Sequence, residues 1–374
     1  MLKVPLKNPR PDFEEFKRVI KGEKPAKRVH FVELFPDSEV VSSMADILEK
    51  KPGGFSLSAL STFESSKIKE NFLRQWINWW HKMGYDYTTI IGPGTSGLNF
   101  PSKERKAKDT ASLPREKRNW IEEGEGMINS WEDFEKYPWP SPDKIDYSLH
   151  EFMAKNLPQG MKMMICPSSG VFEISSEFLL GFEGMSYLLC DDPRLVEAVF
   201  DKVGKILYNF YKNIVELDKV GGFFQGDDMG FNTSTIVSPK VLRKLVLPWH
   251  KRFASLAHEY NKMYWLHCCG NVLTLMEDFI KDVKIDAFHS FQDAIIPVRE
   301  FKKRYGDRVA TLGGIDVDKL CRLDEKSLRE YVRNILDECM PDRYALGSGN
   351  SIANYVPVKN YLIMLDEGLK WENF

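Results

Sequence analysis

The chain has 374 residues, 43% of them hydrophobic and 28% charged, with a formal net charge of −2. That composition supplies a large buried core and excludes a disordered or fibrous chain, and near-neutrality removes the basic excess that nucleic acid or an anionic membrane would require. No apolar run approaches a membrane span, the N-terminal MLKVPLKNPRPDFEEF has no signal-peptide core, and six cysteines in so long a chain read as reduced thiols, so a cytoplasmic protein is expected.

Taken in chain order, short apolar runs rich in β-branched and aromatic residues alternate with amphipathic stretches. The runs are His30–Phe35, Tyr85–Gly92, Lys162–Ser168 and Gly222–Asp228, then Met263–Cys269, Ile285–Phe291, Val309–Asp316 and Tyr344–Asn350. Nearly continuous apolar runs ended by Gly, Pro, Ser or Asp suit buried parallel strands. Between them, Pro239–Asn261 follows the N-cap residue Ser238, and Asp324–Met340 opens on an acidic turn and stops at Pro341. Val272–Val283, Val298–Tyr305 and Val358–Lys370 supply further helices. Eight strands with right-handed crossovers predict a single α/β domain over residues 1–374, a closed (β/α)8 TIM barrel. An open doubly wound sheet is the structural rival.

Two stretches interrupt the rhythm. Phe55–Gly84 carries an N-terminal helical extension, whose aromatic Gln75–His81 serves either internal packing or docking. Residues 93–142 hold SKERKAKDT and PREKRNWIEEGEG and read as an inserted βα loop, a solvated lid or hairpin over the active-site end.

In such barrels the reacting residues come from the C-terminal strand ends. Those ends supply Glu33, Ser168, Ser169, Asp227, Asp228, His267, Cys269, His289, Asp316 and Asn350. In WLHCCG, His267 and Cys269 are two apart on a strand, so both face one side while Cys268 faces the other. Imidazole and thiolate suit zinc, and two ligands on one strand form half of a tetrahedral site; the alternative is a pair of satisfied core residues. Asp227, Asp228, His289, Glu33 and Asn350 are placed to supply a third ligand. Adjacent Asp227 and Asp228 could divide the roles of ligand and proton carrier, or cap a helix or turn. The remaining cysteines, Cys166, Cys190, Cys321 and Cys339, read as small buried hydrophobes. The Gly-rich ALGSGNS at Ala345–Ser351 either lets backbone approach a ligand or an anion, though it lacks the lysine of a phosphate-binding P-loop, or is a plain loop turn.

The stretches GDDMGFNTSTIVSPKVLRKLVLPWHKR, LHCCGNVLTLMEDFI, IDAFHSFQD, YGDRVATLGGIDVDKL and LGSGNSIANYVPVKNYLIML, running from Gly226 to Leu365, resemble the uroporphyrinogen decarboxylase superfamily. The resemblance implies a (β/α)8 barrel. Its decarboxylase branch grips substrate carboxylates with an arginine-rich N-terminal motif, whereas the first strand and its loop here carry Glu33 and Asp37, acids that would repel a polycarboxylate. The resemblance is closer to the corrinoid-linked methyltransferases, whose zinc rests on a His-x-Cys-Gly pair and a later Cys before a Pro-x-x-Asn. The pair is matched by His267, Cys269 and Gly270 and the anchor by Pro357 and Asn360, but Asn350 stands where the later Cys belongs.

What the resemblance implies is a zinc-dependent methyltransferase, with His267 and Cys269 as metal ligands and an acidic third. Asp228, Asp227 and His289 are the catalytic candidates, and Asp316, Ser348 and Asn350 the cofactor-binding ones. The partners implied are a small methyl donor or acceptor, a thiol or an aryl methyl ether undergoing O-demethylation, and a corrinoid (cobalamin) held by a separate corrinoid-binding protein, since no Asp-x-His-x-x-Gly pattern occurs here. A monomer or homodimer is expected. The alternatives are a metal-free decarboxylase or lyase and a non-catalytic tetrapyrrole-binding barrel.

Overall fold

The computed structural model describes residues 2–44, 66–91, 96–111, 113, 117–121, 124 and 126–371. Gly92 of the second predicted strand, residues 55–65 of the long helical stretch and parts of the 93–142 insertion lie outside the described residues.

Nine strands occur among them: β1 (Tyr87–Ile91), β2 (Glu104–Lys108), β3 (Lys117–Ile121), β4 (Lys162–Cys166), β5 (Val220–Gly226), β6 (Met263–His267), β7 (Ala287–His289), β8 (Ala310–Leu312) and β9 (Tyr344–Ala345). Seven of them form one sheet in the order β1-β4-β5-β6-β7-β8-β9, parallel throughout. Sequential parallel neighbours with helices between them curl into the TIM-barrel-like arrangement that the alternation predicts. Within the inserted loop, β2 and β3 make an antiparallel hairpin.

The predicted first strand, His30–Phe35, is not a regular one. It touches the β9 segment through two isolated parallel bridges, Phe31 to Leu346 and Pro36 to Ile352. On its other side no ladder to β1 is formed among the described residues. Instead the Tyr87 hydroxyl accepts from the Glu33 N–H at 2.9 Å and donates to the Glu33 carbonyl at 2.7 Å. A side chain thus spans the gap where backbone pairing would close the ring. Pro36 lacks an N–H, and Gly347–Gly349 turns aside to bond Glu33 and Phe291, so the ladder stops early.

One end of the barrel is sealed. The helix Phe13–Ile20, N-capped by the Asp12 carboxylate, inserts Phe13 and Phe16 against Trp265 of β6 at ring separations of 6.4 and 5.5 Å. Tyr87 and Phe224 pack on the same indole, and all five side chains are buried. Phe13 N–H bonds Gly160 O, just ahead of β4, and Asp12 N–H bonds Asp86, just ahead of β1. The seal therefore lies at the strand N-termini, leaving the C-terminal ends as the open mouth.

The aromatic helical extension is a packing element. Trp76, Trp79 and Trp80 of the helix Ser66–Lys82 are buried, with Trp79 stacked on Tyr85 and Tyr361; the docking alternative for that face is set aside, because its rings are already covered. The predicted helix Pro239–Asn261 is two, Pro239–Leu245 and Leu247–Glu259. Pro248 has no N–H to give the carbonyl four residues back, so the helix breaks at Val246. No helix among the described residues is long and apolar enough to cross a membrane.

Candidate metal centre

Register places the central groups. In the parallel pairing of β5 with β6 and β7, Gly226 lies beside His267 and His267 beside His289. The carboxyl ends of these strands therefore deliver Asp228, His267, Cys269 and His289 to one region of the mouth.

Asp228, His267 and Cys269 converge. One ligand atom from each lies within 4.8 Å of the others. His267 Nε2 is 3.3 Å from Cys269 Sγ and 3.6 Å from Asp228 Oδ1, and the Cys269 N–H donates to Asp228 Oδ1 at 2.7 Å. His267 is buried at 4% exposure whereas the Asp228 side chain is 34% exposed, so the cluster opens toward solvent on its carboxylate side. As alternation requires, Cys268 points away; it is buried, and its sulfur accepts the Met229 N–H.

The electrostatics favour uncharged groups while no cation is near. Burial lowers the His267 pKa to about 3. Burial, then the neighbouring Asp228 charge, raises Cys269 well above the ordinary thiol value, and burial raises Asp228 itself against the opposing bond from the Cys269 N–H. Glu173 is driven well up by burial and then by the charges of Asp228, Asp227 and Glu177. Sulfur, imidazole nitrogen and carboxylate oxygen within a few ångströms, among crowded acids, are a donor set that suits zinc.

Asn350, in the place of the expected cysteine, points its amide Nδ2 at Cys269 Sγ, 3.1 Å away. It acts on the sulfur as a donor. Ser290 Oγ, which no sequence pattern singles out, is 3.8 Å from the same sulfur. His289 stands directly behind His267, the two Nδ1 atoms 2.6 Å apart, and its Nε2 meets the Ser348 carbonyl at 3.1 Å. Burial, then proximity to His267, holds the His289 pKa well below the ordinary value.

The other candidates are engaged elsewhere. Asp227 is wholly buried and accepts from Phe172 N–H and Glu173 N–H at 3.0 Å each and from His250 Nε2 at 2.8 Å. Gly170 makes this possible, since a Cβ there would lie 2.0 Å from the Asp227 carboxyl carbon. His250 in turn bonds the Tyr264 hydroxyl at 2.6 Å, a linkage with no local sequence signal because its members sit on three elements. Asp316 caps the helix Val317–Arg322 through Lys319 N–H and takes the Asp293 N–H. Ser348 Oγ bonds Glu33, not the mouth. Cys166 is buried and its thiol faces the Ser168 carbonyl; burial pushes its pKa up to about 12.

Comparison with known proteins follows the same outline. The family model described as uroporphyrinogen decarboxylase (URO-D) matches residues 128–370. No curated protein matches the sequence. Among solved structures, a methyltransferase from Methanosarcina mazei superposes with a TM-score of 0.66 at 13% identity, covering 94% of this chain and 96% of that one. A B12-independent methionine synthase from Shewanella sp. W3-18-1, in complex with selenomethionine, gives 0.53 at 13% identity, covering 92% and 97%. At these identities the likeness is one of fold.

Proposed function

The chain belongs to the uroporphyrinogen decarboxylase family, and from that footing we propose that it is a zinc-dependent methyltransferase acting between a small substrate and the cobalt of a corrinoid on a partner protein. The observation that carries the reading is the meeting of Asp228, His267 and Cys269 at the open mouth. The fold shared with the M. mazei methyltransferase is in keeping with it.

Within the family, the first strand speaks against the decarboxylase chemistry. Glu33 and Asp37 stand where arginines would be wanted, and both are tied into the β9 loop, through Ser348 and the Asn354 N–H respectively. No arginine stands at either position to grip a tetrapyrrole carboxylate.

His267, Cys269 and Asp228 would hold the zinc. When bound, it supplies Lewis acidity that favours a thiolate over a thiol or an alkoxide-type leaving oxygen over a neutral one. The chain's own groups set the conditions around it. Asn350 gives an N–H to the Cys269 sulfur, which tempers its charge. Asp228 and Cys269 are half-buried whereas His267 is buried, so a substrate entering from the mouth arrives on their side. With an aryl methyl ether the carbon–oxygen bond would break as the methyl passes to Co(I) of the partner's corrinoid, and the phenolate would take up a proton; with a thiol acceptor the thiol would release its proton to solvent and its sulfur would take the methyl from methyl-cobalt, whose bond breaks to return Co(I).

The test begins with metal content by mass spectrometry, on protein purified without chelator. About one zinc per chain is expected in the wild type and a loss of it in Cys269→Ala. The zinc-loaded protein is then offered Co(I) cobalamin with methyl ethers, or methylcobalamin with thiols, and transfer is followed by the cobalamin absorbance. A wild type that takes up no zinc even when it is supplied overturns the reading and leaves a metal-free carboxy-lyase as its replacement.

A further inference from the structure

We propose that His289 is a positioning residue that fixes His267 in the tautomer whose Nε2 lone pair faces Cys269 and Asp228. The inference rests on the metal-site reading above and adds to it the group that makes His267 a ligand rather than a donor.

The assignment follows from hydrogen-bond roles. The Ser348 carbonyl can only accept, so His289 Nε2, 3.1 Å away, carries a proton. The other nitrogen of His289 meets the Nδ1 of His267 at 2.6 Å. Among the described residues neither nitrogen meets a carboxylate, its partners being His267 and the Ser348 carbonyl, and the ring is wholly buried, so the ring is neutral and its Nδ1 offers a lone pair. His267 Nδ1 must then be the donor. Its single proton is placed there, and Nε2 presents a lone pair to the cluster formed with Cys269 and Asp228. With both His289 nitrogens free to choose, either tautomer of His267 would be open, and one of them would aim an N–H at any incoming metal ion.

The surroundings hold this arrangement in place. Ser348 is itself anchored, its N–H donating to Glu33 Oε1 at 2.8 Å and its hydroxyl lying 2.5 Å from Glu33 Oε2. The Gly314 N–H also donates to the Ser348 carbonyl at 3.3 Å. Gly313 clears the path. It has a φ of +81°, and a Cβ there would lie 2.2 Å from the Ser348 carbonyl oxygen and 3.0 Å from His289 Nε2. The line Glu33–Ser348–His289–His267 thus runs from the first predicted strand, through the β9 loop and β7, to β6.

Two variants separate this role from packing. His289→Gln keeps one acceptor for His267 and one donor for Ser348, whereas His289→Leu fills the space and keeps neither. Zinc affinity is measured by chelator competition on folded protein, with the thermal midpoint of each metal-free variant as a control. The expected result is zinc binding weakened about 10–100-fold in His289→Leu and largely retained in His289→Gln. Equal affinity in His289→Leu and wild type, or an equal loss in both variants, overturns the proposal. Nitrogen-15 imidazole spectra of the metal-free wild type read the tautomer directly and do not depend on zinc. A His267 proton on Nδ1 is expected; one on Nε2 overturns this inference, while a wild type that refuses zinc but shows the Nδ1 proton overturns only the metal reading.

Discussion

Glu33 is a buried carboxyl whose hydrogen bonds among the described residues both come from Ser348, with no cation. Burial raises its pKa from 4.5 to about 8, against the two bonds from Ser348 that oppose the rise. Between those values the folded chain holds a proton that the unfolded chain has released, so stability falls as pH rises through this window, by up to about 1.4 kcal/mol per pH unit. Glu33→Gln keeps an acceptor for the Ser348 N–H and a donor for its hydroxyl without the ionisation. Its denaturation midpoint is expected to match wild type near pH 4 and to exceed it at pH 9; parallel curves across the range would mean that Glu33 is ionised in the folded protein. At this scale the sequence was partly legible. His267 and Cys269 could be paired because strand alternation alone puts residues i and i+2 on one side. Asp228 could be joined to them as a strand-end acid, but nothing local separates it from Asp227, because the difference lies in which backbone N–H groups arrive from another element.

That element is the short helical segment beginning at Val171, and the bonds it makes decide what the end of β5 can do. The segment's first N–H groups have no partners within the helix, and Asp227 satisfies two of them while also holding His250. Asp227→Ala would leave three donors buried without an acceptor. The expected cost is about 3 kcal/mol in urea denaturation, with a smaller loss for Asp227→Asn, which keeps one acceptor oxygen. An alanine variant as stable as wild type would show instead that the carboxyl is free for chemistry. Elements were the most readable level of the sequence, since each predicted parallel strand after the first corresponds to β1 or β4–β9. The departures have local physical causes, such as the helix break ahead of Pro248. The predicted helix Val272–Val283 is also divided, into a 3-10 turn, an α turn and a π turn, a change of winding that apolar spacing does not encode.

At the scale of the whole molecule, the alternation of eight strands implied a barrel but could not say how the ring closes. Closure depends on the Tyr87 hydroxyl reaching Glu33, 54 residues away in sequence, and no periodicity in either segment announces that contact. The hydroxyl replaces a ladder, donating to one buried backbone group and accepting from another. Tyr87 is itself buried and packed against Trp265 and Phe16, so a phenylalanine at this position would keep the ring contacts and lose only the two hydrogen bonds. Backbone groups left unpaired in the interior cost about 1–3 kcal/mol each. Tyr87→Phe is therefore expected to lower stability by about 2–6 kcal/mol and to speed hydrogen exchange at the Glu33 amide more than at amides within β5 and β6. The effect should also reach the mouth, because Glu33 anchors Ser348 and Ser348 orients His289. Zinc affinity in Tyr87→Phe should fall in step with the loosening of the Glu33 amide. A variant that loses stability but binds zinc as wild type would show that the seam between His30–Phe35 and β1 holds the barrel shut without supporting the site.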